Sequence, residues 1–96
     1  MSDHDDDDPR AAARGLEFPT DFPIKIMGRR DDGFAQAMVA IVQQHAPDFD
    51  PATLEMRASR DGNYLSVTAT VRAVSREQLD ALYRALTSHP MVKIVL

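Results

Sequence analysis

The sequence predicts an α+β fold of the ferredoxin-like type, βαββαβ, with a four-stranded antiparallel sheet and two helices on one face. Three observations predict it. Four segments alternate apolar and polar residues, and two segments repeat apolar residues every three or four positions. An Asp-Gly turn joins the second and third strands along the chain. Right-handed crossovers place both helices on the same side of the sheet, so the predicted strand order is 4-1-3-2.

The first half of the domain is predicted to form a strand, a loop and a helix. Alternating apolar residues predict a strand from Phe22 onward. A loop from Gly28 to Gly33 follows, and its Asp31 or Asp32 is expected to cap the next helix. The apolar stripe of that helix consists of Phe34, Ala37, Met38, Ile41, Val42 and His45. Pro47 ends the helix, because proline cannot continue it.

The second half reads as a hairpin, a helix and a last strand. In the second strand Leu54, Met56 and Ala58 are expected to face the core. The third strand has the clearest alternation, with these inward positions: Leu65, Val67, Ala69 and Val71. Ser75 and Gln78 have the spacing of a capping box at the start of the second helix. The apolar stripe of that helix consists of Leu79, Leu82, Tyr83 and Leu86. A His-Pro pair ends the helix, and an apolar segment forms the last strand.

Most of the negative charge lies ahead of the domain. The formal net charge of the chain is −4, from 11 basic and 15 acidic residues. Removing the two arginines and five aspartates of residues 1–15 leaves 9 basic and 10 acidic residues, so the remainder is nearly neutral. The aspartate run has too little apolar surface to offset the entropy of ordering it. We therefore expect residues 1–15 to be a disordered acidic tail and residues 16–96 to be the domain.

Composition excludes several classes of protein. The chain has no Cys, which excludes disulfide scaffolds, thiol catalysis and cysteine-ligated metal centres. It has no apolar run of the roughly 20 residues that span a bilayer. It also lacks the apolar stretch of a secretory signal, so the sequence predicts a cytoplasmic protein with no membrane partner.

Several sequence blocks extend over the whole predicted domain. They are Leu16-Glu17-Phe18-Pro19 with Phe22 and Lys25-Ile26-Met27-Gly28, His45-Ala46-Pro47, Gly62-Asn63-Tyr64 with Ser66-Val67, and Val92 to Leu96. In these blocks the domain resembles the YbeD-like family of small uncharacterised bacterial proteins. The resemblance implies a ferredoxin-like fold similar to the ACT type of small-molecule-sensing regulatory module. That family has no established activity, so the resemblance implies no catalytic residues.

The residues themselves also predict no enzyme active site, no cofactor and no metal. His45 and His89 are the only histidines of the predicted domain, and each stands at the end of its own helix, where a cation before a proline is a typical terminator. No serine has a Gly-x-Ser-x-Gly context, and no glycine-rich loop has phosphate-binding spacing.

The loop after the first strand is the predicted ligand site, with Gly28, Arg29, Arg30 and Gly33 as its residues. Two guanidinium groups ahead of a helix N-terminus suit a carboxylate or a phosphate. In ACT-type modules the corresponding loop meets the ligand, which the resemblance implies here. The alternative is a solvated turn in which the neighbouring aspartates neutralise the two arginines.

The open face of the sheet is the second predicted site. By alternation it should carry Lys25, Met27, Tyr64, Ser66, Thr68, Thr70, Lys93 and Val95. We predict a partner face formed by Lys25, Met27, Tyr64, Ser66 and Lys93. The alternative is a solvated face, which antiparallel sheets allow. RNA-recognition domains of this topology stack bases on aromatic residues, but this face has only Tyr64, and the domain is not basic, which argues against nucleic acid.

The sequence thus predicts a non-enzymatic cytoplasmic module that binds an unknown protein partner or a small anionic metabolite in a regulatory role. The alternative is an RNA-binding domain that uses the open sheet face. The last strand, Met91 to Leu96, lies at an edge of the predicted sheet and has five apolar residues in six. Weak self-association through this edge is therefore expected, with a monomer as the rival state.

Overall fold

The computed structural model describes residues 17–96, and the expected disordered tail over residues 1–15 lies outside them. The elements of the described residues are β1 (Thr20–Arg29), α1 (Phe34–His45), β2 (Glu55–Ala58), β3 (Tyr64–Ala73), α2 (Arg76–Thr87) and β4 (Val92–Val95), with a 3-10 turn (Pro51–Thr53) ahead of β2. The sheet is antiparallel, with the order β2-β3-β1-β4. Both the ferredoxin-like class and the predicted strand order are confirmed.

The pairing of β1 with β3 forms the centre of the sheet. All ten residues of each strand are in register, from Thr20 opposite Ala73 to Arg29 opposite Tyr64. Alternate side chains of both strands are buried beneath the helices: Phe22, Ile24, Ile26, Val67, Ala69, Val71 and Ala73. Burial of each large aliphatic side chain among these contributes about 1.5–3 kcal/mol, so this face supplies much of the stability.

The two helices complete the core from the other side. The buried side chains of α1 are Phe34, Met38 and Val42. Those of α2 are Leu79, Leu82, Tyr83 and Leu86. The three- and four-residue spacing of these positions puts each set on one stripe of its helix. Both predicted stripes are therefore confirmed, although Ala37 and Ile41 are only partly buried.

The start of α1 differs from the prediction. Its N-cap is Gly33, and no side chain caps it. Asp31 instead accepts a hydrogen bond at its Oδ1 from the Gly33 N–H, at 2.9 Å. The expected cap by Asp31 or Asp32 is wrong because the short Asp31 side chain bonds the backbone two residues on, and so forms a turn before the helix begins.

The start of α2 has the predicted Ser75 cap. The Ser75 Oγ accepts from the Gln78 N–H at 3.0 Å. The Gln78 side chain then accepts from the Val74 N–H at 2.7 Å and donates to the His45 carbonyl at 2.8 Å. Gln78 thereby joins the first turn of α2 to the last residue of α1, which fixes the two helices relative to each other.

Strand β2 does not bury its expected inward side chains. It pairs only with β3, and all four of its residues are exposed. Met56 is 61% exposed, whereas Leu54, just ahead of the strand, is partly buried. The predicted burial of Met56 and Ala58 is wrong because α1 leaves an open groove beside β2.

Strand β4 carries a register shift that changes which side chains face the open side. Ile94 lies opposite Met27 and Val95 lies opposite Ile26, but Val92 lies opposite Gly28. Val95 is therefore on the helix-covered face, and its predicted place on the open face is wrong. Ile94 takes that place and is 49% exposed. Lys93 is exposed at the irregularity, where one extra residue interrupts the alternation.

The turn between β2 and β3 is held by the carboxylate of Asp61. Its Oδ1 accepts from the Ser59 hydroxyl at 2.7 Å and from the Asn63 N–H at 3.1 Å. These two hydrogen bonds, the one from Ser59 first, hold the pKa of Asp61 below its ordinary value of 3.8. Gly62 has a φ of +78°, a conformation that side chains with a Cβ rarely adopt.

Gly28→Ala is expected to destabilise the domain, because a Cβ there would lie 2.5 Å from the Phe34 Cε1 and would also clash with the Met91 carbonyl oxygen. The expected cost is about 1–3 kcal/mol in the free energy of unfolding, measured by urea denaturation. Gly33→Ala is the control, because its nearest contact would be an ordinary 3.6 Å. Equal stability of Gly28→Ala and the wild type would contradict the close packing at Gly28.

Asp61 is expected to titrate below pH 3.8 in the folded protein, as followed by NMR of its carboxyl carbon. Because its folded pKa is lowered, the stability it contributes is present above its unfolded pKa and is lost as the pH falls through the folded pKa. Ser59→Ala should move the pKa of Asp61 upward, because it removes the largest cause of the shift. Ser88→Ala, a serine at the end of α2, should leave the pKa unchanged. An unchanged pKa in Ser59→Ala would refute this account of the turn.

Candidate functional site

The end of β1 meets the β2–β3 turn and forms a surface pocket there. Arg29 lies opposite Tyr64 at the last position of the β1–β3 register. The Arg30 N–H then donates to the Asn63 carbonyl at 2.9 Å, which holds the chain against the turn. Arg29, Arg30, Gly62, Asn63 and Tyr64 line this pocket, which we name the arginine pocket.

Gly62 allows the Arg30 side chain to lie close to the turn. A Cβ at Gly62 would be 3.5 Å from the Arg30 Nη1. The turn also needs the positive φ of Gly62, so one glycine serves both the backbone and the arginine. The guanidinium group of Arg30 therefore lies beside Gly62 in the β2–β3 turn.

The positive charge of the arginine pocket has no carboxylate partner within residues 17–96. The ion pair found there joins Arg72 to Asp21 at 3.4 Å, and neither Arg29 nor Arg30 has a carboxylate oxygen within 4.0 Å. Asp31 hydrogen-bonds the Gly33 N–H instead. Direct ion pairs between the loop aspartates and the two arginines are thus not found among the described residues, and a solvated turn stays the alternative interpretation of this loop.

Only half of the sequence-predicted ligand residues line the arginine pocket. Arg29 and Arg30 do, but Gly28 is buried against Phe34 and Met91, and the Gly33 N–H is used by Asp31. Glycine at position 28 serves packing rather than an open ligand surface.

Sequence reasoning did not assign three of the lining residues to this site: Gly62 and Asn63 were assigned to no site, and Tyr64 was assigned only to the open face of the sheet. Two signals could have found them. These residues form one of the blocks that carry the family resemblance. In addition, the predicted strand order places the end of the first strand beside the start of the third. The pocket therefore results from the pairing of β1 with β3, which brings together residues that are far apart in the sequence.

Four of the five predicted partner-face residues lie together. Lys25, Met27, Tyr64 and Ser66 line a shallow depression on the open face of the sheet, which they share with the edge of β2. Lys93 lies outside it, at the irregularity of β4. Tyr64 borders both this depression and the arginine pocket, so the two surfaces are continuous.

Both histidines of the described chain stand at helix ends and have structural contacts there. His45 is the last residue of α1, and its carbonyl accepts from Gln78. The Nδ1 of His89, just beyond α2, accepts from the Met91 N–H at 3.1 Å. Within residues 17–96 no group of three or more His, Cys, Asp or Glu side chains could hold a metal ion.

The helices of that region are also too short or too polar to cross a membrane.

Comparison with a solved structure supports the fold assignment. The structure is similar to the solution NMR structure of the ACT domain from the GTP pyrophosphokinase of Chlorobium tepidum, with a TM-score of 0.60. The match covers 79% of this chain and 84% of that domain, at 18% sequence identity. This likeness establishes an ACT-like fold.

Comparison by sequence identifies the family. The family model described as "Protein of unknown function (DUF493)" matches residues 13–96. The UPF0250 proteins of Ralstonia nicotianae and Bordetella pertussis are each 62% identical to this chain over 81 residues. That alignment covers 84% of this chain, 84% of the Ralstonia protein and 89% of the Bordetella protein. The predicted resemblance is confirmed: the chain belongs to the UPF0250 (DUF493) family of bacterial proteins of unknown function and has an ACT-like fold.

Proposed function

We propose that this protein is a non-enzymatic, cytoplasmic regulatory module that binds a small anionic metabolite in the arginine pocket. The observation that carries this proposal is the pair of arginines, Arg29 and Arg30, without carboxylate partners among the described residues and beside the Asn63 and Tyr64 positions. Unpaired cations that share one concave surface favour an anion in solution. An ACT-like fold is consistent with a regulatory role for such a site.

The chemistry of the pocket suits carboxylates and phosphates. A guanidinium group offers a planar set of N–H donors that matches two oxygens of such a group, and charge-assisted hydrogen bonds of this kind are stronger than neutral ones. Asparagine and tyrosine side chains add neutral donors and acceptors. The pocket is open to water, so each arginine should contribute modestly, and binding should weaken as salt screens the charges.

The backbone of both arginines is held by hydrogen bonds to the neighbouring strand and turn, which supports the proposal of a preformed site. Arg29 is the last residue of β1, and the Arg30 N–H is bonded to Asn63. Little backbone entropy is therefore lost when a ligand binds, which favours affinity from a small number of contacts. The open face adds Lys25 and Arg57 beside Tyr64, so a short RNA is the alternative ligand class that an experiment must include.

Titration with inorganic phosphate, citrate and a panel of amino acids is expected to shift the backbone amides of Arg29, Arg30 and Asn63 before others in NMR spectra. The double variant Arg29→Ala/Arg30→Ala should lose these shifts and keep a folded spectrum. A single substitution should weaken binding by up to about fivefold, because one exposed charge pair contributes roughly 0.2–1 kcal/mol.

Arg72→Ala is the matched control, because this arginine lies on the same sheet but is already paired with Asp21. It should bind as the wild type does. The proposal fails if no compound at millimolar concentration shifts the pocket amides, or if the double variant binds equally well. Retention of a short RNA in preference to every small anion, with a steep loss of affinity as salt rises, would instead favour the RNA-binding alternative.

A further inference from the structure

Tyr64 is an exposed aromatic residue that joins two surfaces of different chemical character. Its side chain is 38% exposed. On one side it lines the arginine pocket, and on the other side it lines the shallow depression of the open sheet face. Met27 and Ala58 also line that depression. A charged pocket and a partly apolar depression therefore meet at one aromatic ring.

The strand register sets the spacing between the charge and the ring. Arg29 lies directly opposite Tyr64 in the β1–β3 pairing, and alternation puts both side chains on the open face. The Cβ atoms of directly opposite residues are about 4.5–5.5 Å apart. Met27 lies opposite Ser66, so it is a diagonal neighbour of Tyr64 on the same face. One small ligand can therefore contact the Arg29 guanidinium group and the Tyr64 ring at the same time.

The charges around the ring favour a phosphate group over a carboxylate. Among residues 17–96, the two surfaces are lined by cations and by no carboxylate: Lys25, Arg29, Arg30 and Arg57. In the adjacent turn, the Asp61 Oδ1 is engaged by the Ser59 hydroxyl and the Asn63 N–H. A phosphate monoester carries about 1.5–2 negative charges on three acceptor oxygens, so two guanidinium groups can bind it, whereas one such group already matches both oxygens of a carboxylate.

The depression beyond Tyr64 suits a flat heteroaromatic ring. Every nucleobase has a π-face, so stacking on an aromatic side chain accepts any of them. The Met27 thioether adds a polarisable group that makes favourable contacts with aromatic rings. The planar guanidinium group of Arg57, which also lines the depression, is a second group that stacks on aromatic faces. A nucleobase in the depression thus has three kinds of favourable contact.

We propose that the metabolite of the arginine pocket is a nucleoside monophosphate, with its phosphate bound by Arg29 and Arg30 and its base stacked on Tyr64. The ribose spans the short step between the two surfaces. This inference rests on the proposed function, because it places the anionic group in the same pocket. It adds the class of ligand and assigns Tyr64 as the residue that selects this class.

A single nucleotide fits this face better than a longer RNA does. RNA-recognition sheets stack two or three bases on separate aromatic side chains. Within the described strands, the open face has one aromatic ring, that of Tyr64. A second base would lie over the small polar side chains further along β3, such as Ser66 and Thr68, which offer no stacking surface.

Four probes, titrated into the full chain, separate the parts of the ligand: inorganic phosphate, ribose 5-phosphate, adenosine and adenosine 5′-monophosphate (AMP). Affinities are measured from NMR amide shifts. AMP should bind about fivefold or more tightly than ribose 5-phosphate, because stacking of a base on an aromatic side chain contributes at least about this factor. Adenosine lacks the phosphate and should bind more weakly than AMP.

Variants at Tyr64 test the role of the ring. Tyr64→Ala should remove the preference for AMP over ribose 5-phosphate, and Tyr64→Phe should keep it because the ring is kept. The ratio of the two affinities is the readout, since Tyr64 also borders the pocket and its loss can weaken both ligands. Met56→Ala is the matched control, because Met56 is also exposed on the β2–β3 hairpin but lines the groove beside α1. Its affinity ratio should equal that of the wild type.

Equal binding of AMP and ribose 5-phosphate, or a preference that persists in Tyr64→Ala, would overturn the inference. Binding of inorganic phosphate that depends on Arg29 and Arg30 would in that case still support the proposed function. Failure of every phosphate probe to bind would overturn both. Tighter binding of phenylacetate or of a short RNA than of AMP would assign the surface to an aromatic carboxylate or to RNA, and would overturn the inference as well.

Discussion

The ten-residue pairing of β1 with β3 is the interaction on which the rest of this structure depends. It brings together two strands that are separated in sequence by a helix and a short edge strand, and it buries one face of both beneath α1 and α2. The same pairing sets the position of the arginine pocket. Because the ladder runs without interruption to its last rung, Arg29 must lie opposite Tyr64, and Arg30 then meets Asn63. Core stability and site geometry thus have one cause.

Gly28 lies between the hydrophobic core and the arginine pocket. Its lack of a side chain lets the end of β1 pack closely against Phe34 and the backbone of Met91. The next two residues, Arg29 and Arg30, are exposed beside the hairpin, where the Arg30 N–H donates to the Asn63 carbonyl. Gly28 packs closely against the core, and Arg29 and Arg30 directly after it have long, flexible side chains. The backbone that positions the two arginines is thus held rigidly. This arrangement is suited to recognition of an anion by a preformed surface.

The elements that were predicted well are those whose apolar residues are in fact buried against the core. The strict alternation of β3 and the stripes of α1 and α2 follow directly from which residues face the core. The alternation in β2 has the same form, but periodicity cannot show whether a helix covers the strand, and here α1 does not cover Met56. In β4 one extra residue at Lys93 reverses the alternation, so Val95 faces the helices. The candidate site was half predicted: the arginines were found from their charge, whereas Asn63 and Tyr64 join them only through the tertiary pairing of β1 with β3.

The proposal that Arg29 and Arg30, which have no carboxylate partner among residues 17–96, share one anion site can be tested on the side chains themselves. Proton–nitrogen NMR of the arginine Nε–Hε groups, recorded at low temperature with and without inorganic phosphate, observes each guanidinium directly. The account predicts that the Nε–Hε signals of Arg29 and Arg30 shift and sharpen as phosphate is added, while that of Arg72, held by Asp21, stays unchanged. Equal small shifts of every arginine in the chain would show general ionic screening and would contradict the account.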